Sequence, residues 1–338
     1  MLRRHAALPV LVLVVLVAGC GGPASILAPH GPGAARIAEL TWLLFVVGAG
    51  IYAIVIAALL LAVGRRRGAE GDLEPPSAAV SERWPRLGVI AGGIVLPLVV
   101  LPLLFFASVR TLAGLVAPAS PAVIVEVTAH QWWWDFRYRD PATGEVFATA
   151  NELHVPVGER VELRLQAADV IHSFWVPVLQ GKLDLIPGKT NVTWLQADRP
   201  GVYPGLCAEF CGIQHAAMRL LVIAQPPEQF AAWRRAQQQP GTPPIGAEAQ
   251  RGQAVFLVRC AHCHTVRGTQ AFFGPLGPDL THVASRRTLA AGTLTNVKGN
   301  LAGWIADPQT LKPGNRMPRI PLTSEEFHAV LAYVEGLR

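Results

Sequence analysis

Residues 207–218 read Cys207-Ala-Glu-Phe-Cys211-Gly-Ile-Gln-His215-Ala-Ala-Met218. Two thiols, an imidazole and a thioether fall there at successive spacings of four, four and three. Such spacings are too tight for separate secondary-structure elements and fit one loop wrapped round a metal. His172, 35 residues upstream, offers a second imidazole. Thiolate, imidazole and thioether are soft donors that suit copper rather than calcium or magnesium. A mononuclear blue-copper site needs one Cys, two His and a weak Met; here a second Cys allows two thiolates to bridge two coppers. A Cys207–Cys211 disulfide or a structural zinc site would draw on the same residues, although Met is a poor zinc ligand.

The sequence around this loop alternates short apolar runs with turn signals. Val123–Val127, Val161–Leu165 and Val192–Leu195 are separated by Pro141-Ala-Thr-Gly144, Val157-Gly158 and Ile186-Pro187-Gly188. Short strands with this punctuation over residues 121–224 predict an all-β sandwich or barrel. Residues 225–245 hold five Pro and five Gln and read as a linker.

Beyond the linker stands Cys260-Ala-His-Cys263-His264. Cys-x-x-Cys-His is the attachment sequence for a c-type haem, with both thiols bonded covalently and the adjacent His placed to ligate iron. Met317, in Pro313-Gly-Asn-Arg-Met317-Pro318, is a candidate second axial ligand. His/Met ligation raises a haem's potential. The segment ends in an amphipathic stretch, Ser324–Leu337.

The amino-terminal third is apolar throughout. The chain of 338 residues is 51% hydrophobic and 15% charged, beyond the range of an ordinary soluble protein. Leu40–Val63 runs 24 residues without a charge and Leu87–Val109 runs 23, each long enough to cross the ~30 Å hydrocarbon core as a helix. The loop between them carries Arg65, Arg66, Arg67, Arg83 and Arg86. Basic residues flanking spans face the cytoplasm, so both metal-binding segments are expected outside, in the cell (inner) membrane's periplasmic space. Arg3, Arg4 and the apolar Ala6–Ala18 form an export signal, and Val17-Ala18-Gly19-Cys20 fits a lipoprotein cleavage site with Cys20 lipidated. The net charge of +6 is dispersed and accompanies no nucleic-acid motif.

The five Cys and the two Met other than the initiator thus all have an assignable role. The expected order is a signal at 1–19, an extracytoplasmic segment at 20–37, a transmembrane hairpin at 38–117, a copper domain at 118–224, the linker, and a haem domain at 246–338.

Over about residues 30–235 the chain resembles subunit II of the haem–copper cytochrome c oxidases. The resemblance rests on the paired spans, the aromatic run His130-Gln-Trp-Trp-Trp134, Asp169-Val-Ile-His172-Ser, Asp184-Leu-Ile-Pro-Gly188 and the Cys207–Met218 loop. It implies a cupredoxin-like β-sandwich and a dinuclear copper A centre held by His172, Cys207, Cys211, His215 and Met218. It further implies that Glu209 ligates copper through its backbone carbonyl. The Glu209 carboxylate would face a magnesium or manganese ion at the boundary with subunit I. Asp169 and Asp184 are expected to support the ligands or the interface. Trp132 matches the family's electron-entry position; Trp133 departs from the family's usual Tyr.

Residues 246–338 resemble an all-α class I cytochrome c. Gly277-Pro278-Asp-Leu280 matches the turn whose Pro278 carbonyl orients the proximal His264, and Trp304 matches the aromatic wall of the haem pocket. The fused pair resembles subunit II of caa3-type oxidases. That implies a translocase partner, subunit I with haem a and a haem a3–copper B pair, a subunit III, membrane lipid, and a periplasmic cytochrome c or similar donor. A quinol oxidase subunit II would lack the copper ligands. A nitrous oxide reductase needs a second, His-rich copper cluster that ten His do not supply. A membrane-tethered electron shuttle outside any oxidase is the remaining rival. Residues 121–224 carry 8 Lys and Arg against 11 Asp and Glu, and residues 246–338 carry 10 against 6. These opposite balances predict electrostatic steering of a transient docking between the two domains, near Trp132.

Overall fold

The computed structural model describes residues 22, 24–68, 86–116, 121, 123–139, 144, 146–271 and 276–338. The signal, Cys20 and most of the loop between the spans lie outside the described residues. The chain divides into two compact units, Arg36–Val116 and the remainder.

In the first unit, helix α1 (Pro32–Gly68) and helix α2 (Arg86–Ala113) are both long and apolar enough to cross a membrane. Their apolar side chains, among them Phe45, Leu60, Leu98 and Phe106, are exposed, as lipid-facing residues must be. Within α2, Ala91–Val95 forms a π turn. Pro97 stands two residues after it, and a proline ring clashes with the carbonyl four residues back. The wider turn opens the helix where that carbonyl, on Gly93, would otherwise collide. Toward the other ends of the spans, the Arg36 guanidinium donates to the Gly114 carbonyl.

The larger unit holds the sandwich and the haem domain. One sheet runs β3 (Val146–Ala150), β2 (Trp133–Arg139), β1 (Val123–His130), β5 (Val161–Ala167), β8 (Asn191–Leu195). The other runs β4 (Glu152–Pro156), β10 (Arg219–Gln225), β9 (Gly201–Cys207), β6 (His172–Trp175), β7 (Leu183–Leu185). Val125, Val127, Trp134 and Phe136 from one sheet meet Leu153, Phe174, Leu220 and Val222 from the other in a single core, as alternating strands require. The pairs β1–β5 and β4–β10 are parallel, so the strands cross between sheets rather than meander.

The stretch read as linker differs in its first half. Pro227–Gln238 forms helix α3. Phe230 is buried in the sandwich core, and the Trp233 ring stacks on His154 at 4.0 Å and meets Tyr138 edge-on at 5.3 Å. Two apolar residues at i and i+3 give the helix one sticky side, which the polar composition around them hides. The segment after Gln238 is non-helical and lies along the haem domain, with the Gly241 N–H donating to the Arg267 carbonyl at 2.9 Å and the Thr242 hydroxyl to the Arg338 carbonyl at 2.8 Å.

In the haem domain, helix α4 (Ala247–Arg259) crosses helix α7 (Ser324–Gly336). Gly252 permits the crossing: a Cβ there would lie 1.9 Å from the Ala329 carbonyl oxygen. Phe256 and Tyr333 pack edge-on at 5.5 Å beside the crossing. Thr323 and Glu326 close a capping box that starts α7. Helices α5 (Lys298–Ala306) and α6 (Pro308–Leu311) lead into the Met317 loop.

Candidate metal and haem centres

The sandwich brings His172 to Cys207 through its strand order. His172 opens β6 and Cys207 closes β9, and Phe174 pairs directly with Cys207 between those strands. The Cys207 N–H donates to the Met218 carbonyl at 3.0 Å, which ties the two ends of the 207–218 loop together. His172, Cys207, Cys211 and Met218 are all buried.

The donor atoms form one compact cluster. His172 Nδ1 is 3.8 Å from Cys207 Sγ, Cys207 Sγ is 3.8 Å from Cys211 Sγ, and Cys211 Sγ is 3.6 Å from His215 Nδ1. Met218 Sδ lies 3.9 Å from Cys211 Sγ, and the Glu209 carbonyl oxygen lies 3.2 Å from Cys207 Sγ. Both cysteines are free, their sulfurs far beyond the ~2.05 Å of a disulfide. His172, Cys207 and Cys211 form a group whose ligand atoms all lie within 4.8 Å of one another.

Protons follow this geometry. Asp169 Oδ1 accepts from His172 Nε2 at 2.9 Å, which leaves Nδ1 as the lone-pair nitrogen on the sulfur side. Burial alone would raise the Asp169 carboxyl, but hydrogen bonds from His172, the Gln131 N–H and the Val170 N–H hold it down at about 2. The two thiols titrate as a pair. A hydrogen bond from Cys211, offset in part by burial, favours the Cys207 thiolate, and that neighbouring sulfur in turn holds the Cys211 proton well above the ordinary range. A soft cation bound between them displaces that second proton.

Trp132 is placed differently from an exposed entry point. Its indole Nε1 donates to the Cys211 carbonyl at 3.0 Å, and Gln131 Nε2 donates to the same oxygen at 2.8 Å. The half-buried ring lines a cleft shared with Cys263, His264 and Met317. Asp184 pairs with Ser173, and its carbonyl accepts from Asn191.

The second centre is an apolar cleft. Cys260, His264, Pro278, Trp304 and Met317 line it, with Phe256, Leu301 and Val334 behind. His264 Nδ1 donates to the Pro278 carbonyl at 2.9 Å, leaving Nε2 free as a ligand. Burial lowers the His264 pKa, so the ring stays neutral, as iron ligation needs. Gly277 lets that ring sit: a Cβ there would stand 2.7 Å from His264 Cε1. Gln309 donates to the Met317 carbonyl at 2.7 Å and Asn315 accepts from its N–H at 2.8 Å, which sets the loop. Arg286 also lines the cleft, and its buried Nε has no hydrogen-bond partner among the described residues. An anionic group such as a haem propionate fits that vacancy in the hydrogen bonding. His262 and His328 are exposed, and His282 is buried against the Gln239 carbonyl. None of the three lines the cleft.

The sequence reading missed the residues that join the two centres. Lys312 donates to three backbone carbonyls, Arg316 reaches Asp169, and Glu152 accepts from the N–H groups of Arg287 and Thr288 at 2.7 and 2.9 Å. Asn151 of the copper domain lines the haem cleft itself. Opposite charge balances pointed toward such contacts without naming a pair.

Residues 141–225 match the family model for the periplasmic domain of cytochrome c oxidase subunit II, and residues 249–338 match the model for cytochrome c. A cytochrome c oxidase subunit 2 of Alkalihalophilus pseudofirmus is 36% identical over 98% of this chain and 96% of its own length. The chain belongs to the cytochrome c oxidase subunit II family. A subunit 2 of Bacillus subtilis is 30% identical over 99% of this chain and 98% of that protein. The crystal structure of the periplasmic domain of cytochrome oxidase subunit II of Bradyrhizobium japonicum is 30% identical, covering 36% of this chain and 97% of that one, with a TM-score of 0.34. Membership implies copper A, and the cytochrome c domain implies haem c. The soft donor cluster and the apolar cleft with its free imidazole nitrogen suit those two groups. The expected cupredoxin-like sandwich, helical cytochrome c domain and paired apolar helices are all present.

Proposed function

We propose that this subunit takes electrons in at a covalent haem c and delivers them through a dinuclear copper A centre. The recipient is a catalytic partner carrying haem a and a haem a3–copper B pair, where oxygen is reduced to water. When bound, the haem and the copper pair would supply one-electron chemistry.

The observation that carries the reading is the compact cluster of two thiols and two imidazoles, in which each sulfur has an imidazole nitrogen of its own, His172 Nδ1 at 3.8 Å from Cys207 Sγ and His215 Nδ1 at 3.6 Å from Cys211 Sγ. One imidazole for each of two neighbouring thiolates suits a pair of ions bridged by sulfur. Met218 and the Glu209 carbonyl complete the donors, one near each sulfur. Asp169 fixes the tautomer of His172, and burial keeps water from the sulfurs. On the haem side, Cys260 and Cys263 would form the thioether links and His264 and Met317 would ligate the iron, with Pro278 holding His264 in its tautomer and Trp304 walling the pocket. Trp132, bonded to the Cys211 carbonyl and facing the haem cleft, serves as the relay between the centres. The Glu209 carboxylate would hold a magnesium or manganese ion at the boundary with the catalytic subunit. The basic loop between the spans lies in the cytoplasm, and both centres lie on the periplasmic side with Cys20 lipidated at the membrane surface.

Metal analysis and spectra of the full chain, purified in detergent without its catalytic partner, test the assignment. Two coppers and one low-spin c-type haem per chain are expected. One copper, or zinc in its place, overturns the dinuclear site. In the native membrane the chain should co-purify with haem a; purification without it would favour a tethered shuttle.

A further inference from the structure

The loop that carries Met317 is also the loop by which the haem domain grips the copper domain. Lys312 is 3% exposed, and its Nζ donates to the carbonyls of Ala217 at 2.8 Å, Trp132 at 3.1 Å and Ala290 at 3.1 Å. An ammonium has three protons, so three converging carbonyls satisfy it fully. Two of the three belong to the copper domain and stand next to the copper donors. Ala217 precedes Met218, and the Trp132 indole donates to the Cys211 carbonyl. One residue on, the Pro313 carbonyl accepts from Gln214 Nε2 at 2.5 Å, beside His215 in the copper loop.

Arg316, the neighbour of Met317, makes the third grip. Its Nη2 donates to Gln131 Oε1 at 2.6 Å and lies 3.7 Å from Asp169 Oδ2. The other oxygen of Asp169 accepts from His172 Nε2. A continuous series of contacts therefore leads from the residue beside Met317 to His172, and another leads from Lys312 to the flanks of Cys211 and Met218.

We propose that Lys312 and Arg316 are positioning residues for haem-to-copper electron transfer, fastening the Met317 loop to the copper loop so that the two centres keep one fixed spacing. The inference rests on the haem and copper assignments above. Lys312 is the anchor, because its bonds are shielded from water and every carbonyl it leaves would be left buried. Arg316 is exposed and holds weakly alone, so it sets the orientation of the loop against Asp169. Spacing matters in such a geometry because electron tunnelling between separated centres falls off exponentially with distance.

The test uses the complete oxidase, with haem reduced by a flash and copper reduction followed by absorbance. Lys312→Met should slow the internal haem-to-copper step at least ~10-fold, with haem and copper spectra and stoichiometry unchanged. Lys312→Arg keeps the charge, but its planar fork does not serve three converging carbonyls, so it should recover only part of the rate. Arg316→Gln should give a smaller slowing together with a shifted copper absorption band, since Asp169 loses a partner and His172 turns. Unchanged rates in both Lys312→Met and Arg316→Gln, with both centres present, would overturn the proposal. Should Lys312→Met fail to assemble, the exposed Arg316→Gln carries the decision alone, and a wild-type rate and copper band there would overturn it. Absence of haem or dinuclear copper from the wild-type protein would instead refute the functional reading beneath it.

Discussion

Gly277 has no side chain because the His264 ring occupies the space one would need. Gly277→Ala would push a methyl to within 2.7 Å of Cε1 and 2.9 Å of Nδ1, breaking the bond to the Pro278 carbonyl. Overpacking of this kind costs roughly 1–3 kcal/mol. The expected outcome is a lower thermal midpoint of the haem absorbance and a weakened low-spin band. Asp169 offers a matching test at the other centre. Carboxylates that orient a ligating His change metal affinity about 10–100-fold when lost, so Asp169→Asn should weaken copper by that factor in competition with a chelator. The pH dependence has a definite sign. The Asp169 carboxyl is held below its ordinary value of 3.8, so its stabilising effect is complete above pH 3.8 and is lost as pH falls toward 2. The copper band of the wild type should fade across that acid window, and the band of Asp169→Asn should show no step there.

At the scale of elements, legibility in the sequence tracked the distance between partners along the chain. The copper loop was readable because three of its side-chain donors lie within eleven residues of Cys207. The haem motif was readable because both thiols and the imidazole lie within five residues. Strands followed from alternation, and the spans from uncharged length. Helix α3 was not readable: its polar Gln and Arg residues and flanking prolines resemble a connector, and only Phe230 and Trp233 betray the buried side. Trp233→Ala removes the ring that stacks on His154 and meets Tyr138. The ring is half-buried, so the cost should be about 2–4 kcal/mol, below the 3–5 usual for a fully buried Trp. Urea unfolding of the sandwich should show the midpoint falling with an unchanged slope; an unchanged midpoint would mean that α3 adds nothing to the sandwich. The contacts of Lys312, Arg316 and Glu152 were equally illegible, because their partners lie 95 to 185 residues away for the bonds between domains. Nothing local marks a lysine that ends in a cage of carbonyls.

For the whole molecule, the relation between the domains is more definite than charge counting suggested. Opposite net charges predicted a steered, transient encounter. The observed contact is a buried lysine, a capped backbone at Arg287–Thr288 and a shared cleft wall. Raising salt from about 0.01 M to 1 M shortens the screening length from ~30 Å to ~3 Å. The internal haem-to-copper rate of the wild type should change less than about twofold across that range; a progressive fall would restore the steering picture. The cleft wall has one more consequence. Asn151, Gln131, Trp132 and Trp133 of the copper domain close the cleft around Cys263 and His264. Once that wall is in place, a planar macrocycle with its attachment machinery has less room to approach from that side. Thioether bonds at Cys260 and Cys263, on the proposed reading, would therefore be made most readily while the carboxy-terminal domain is still undocked.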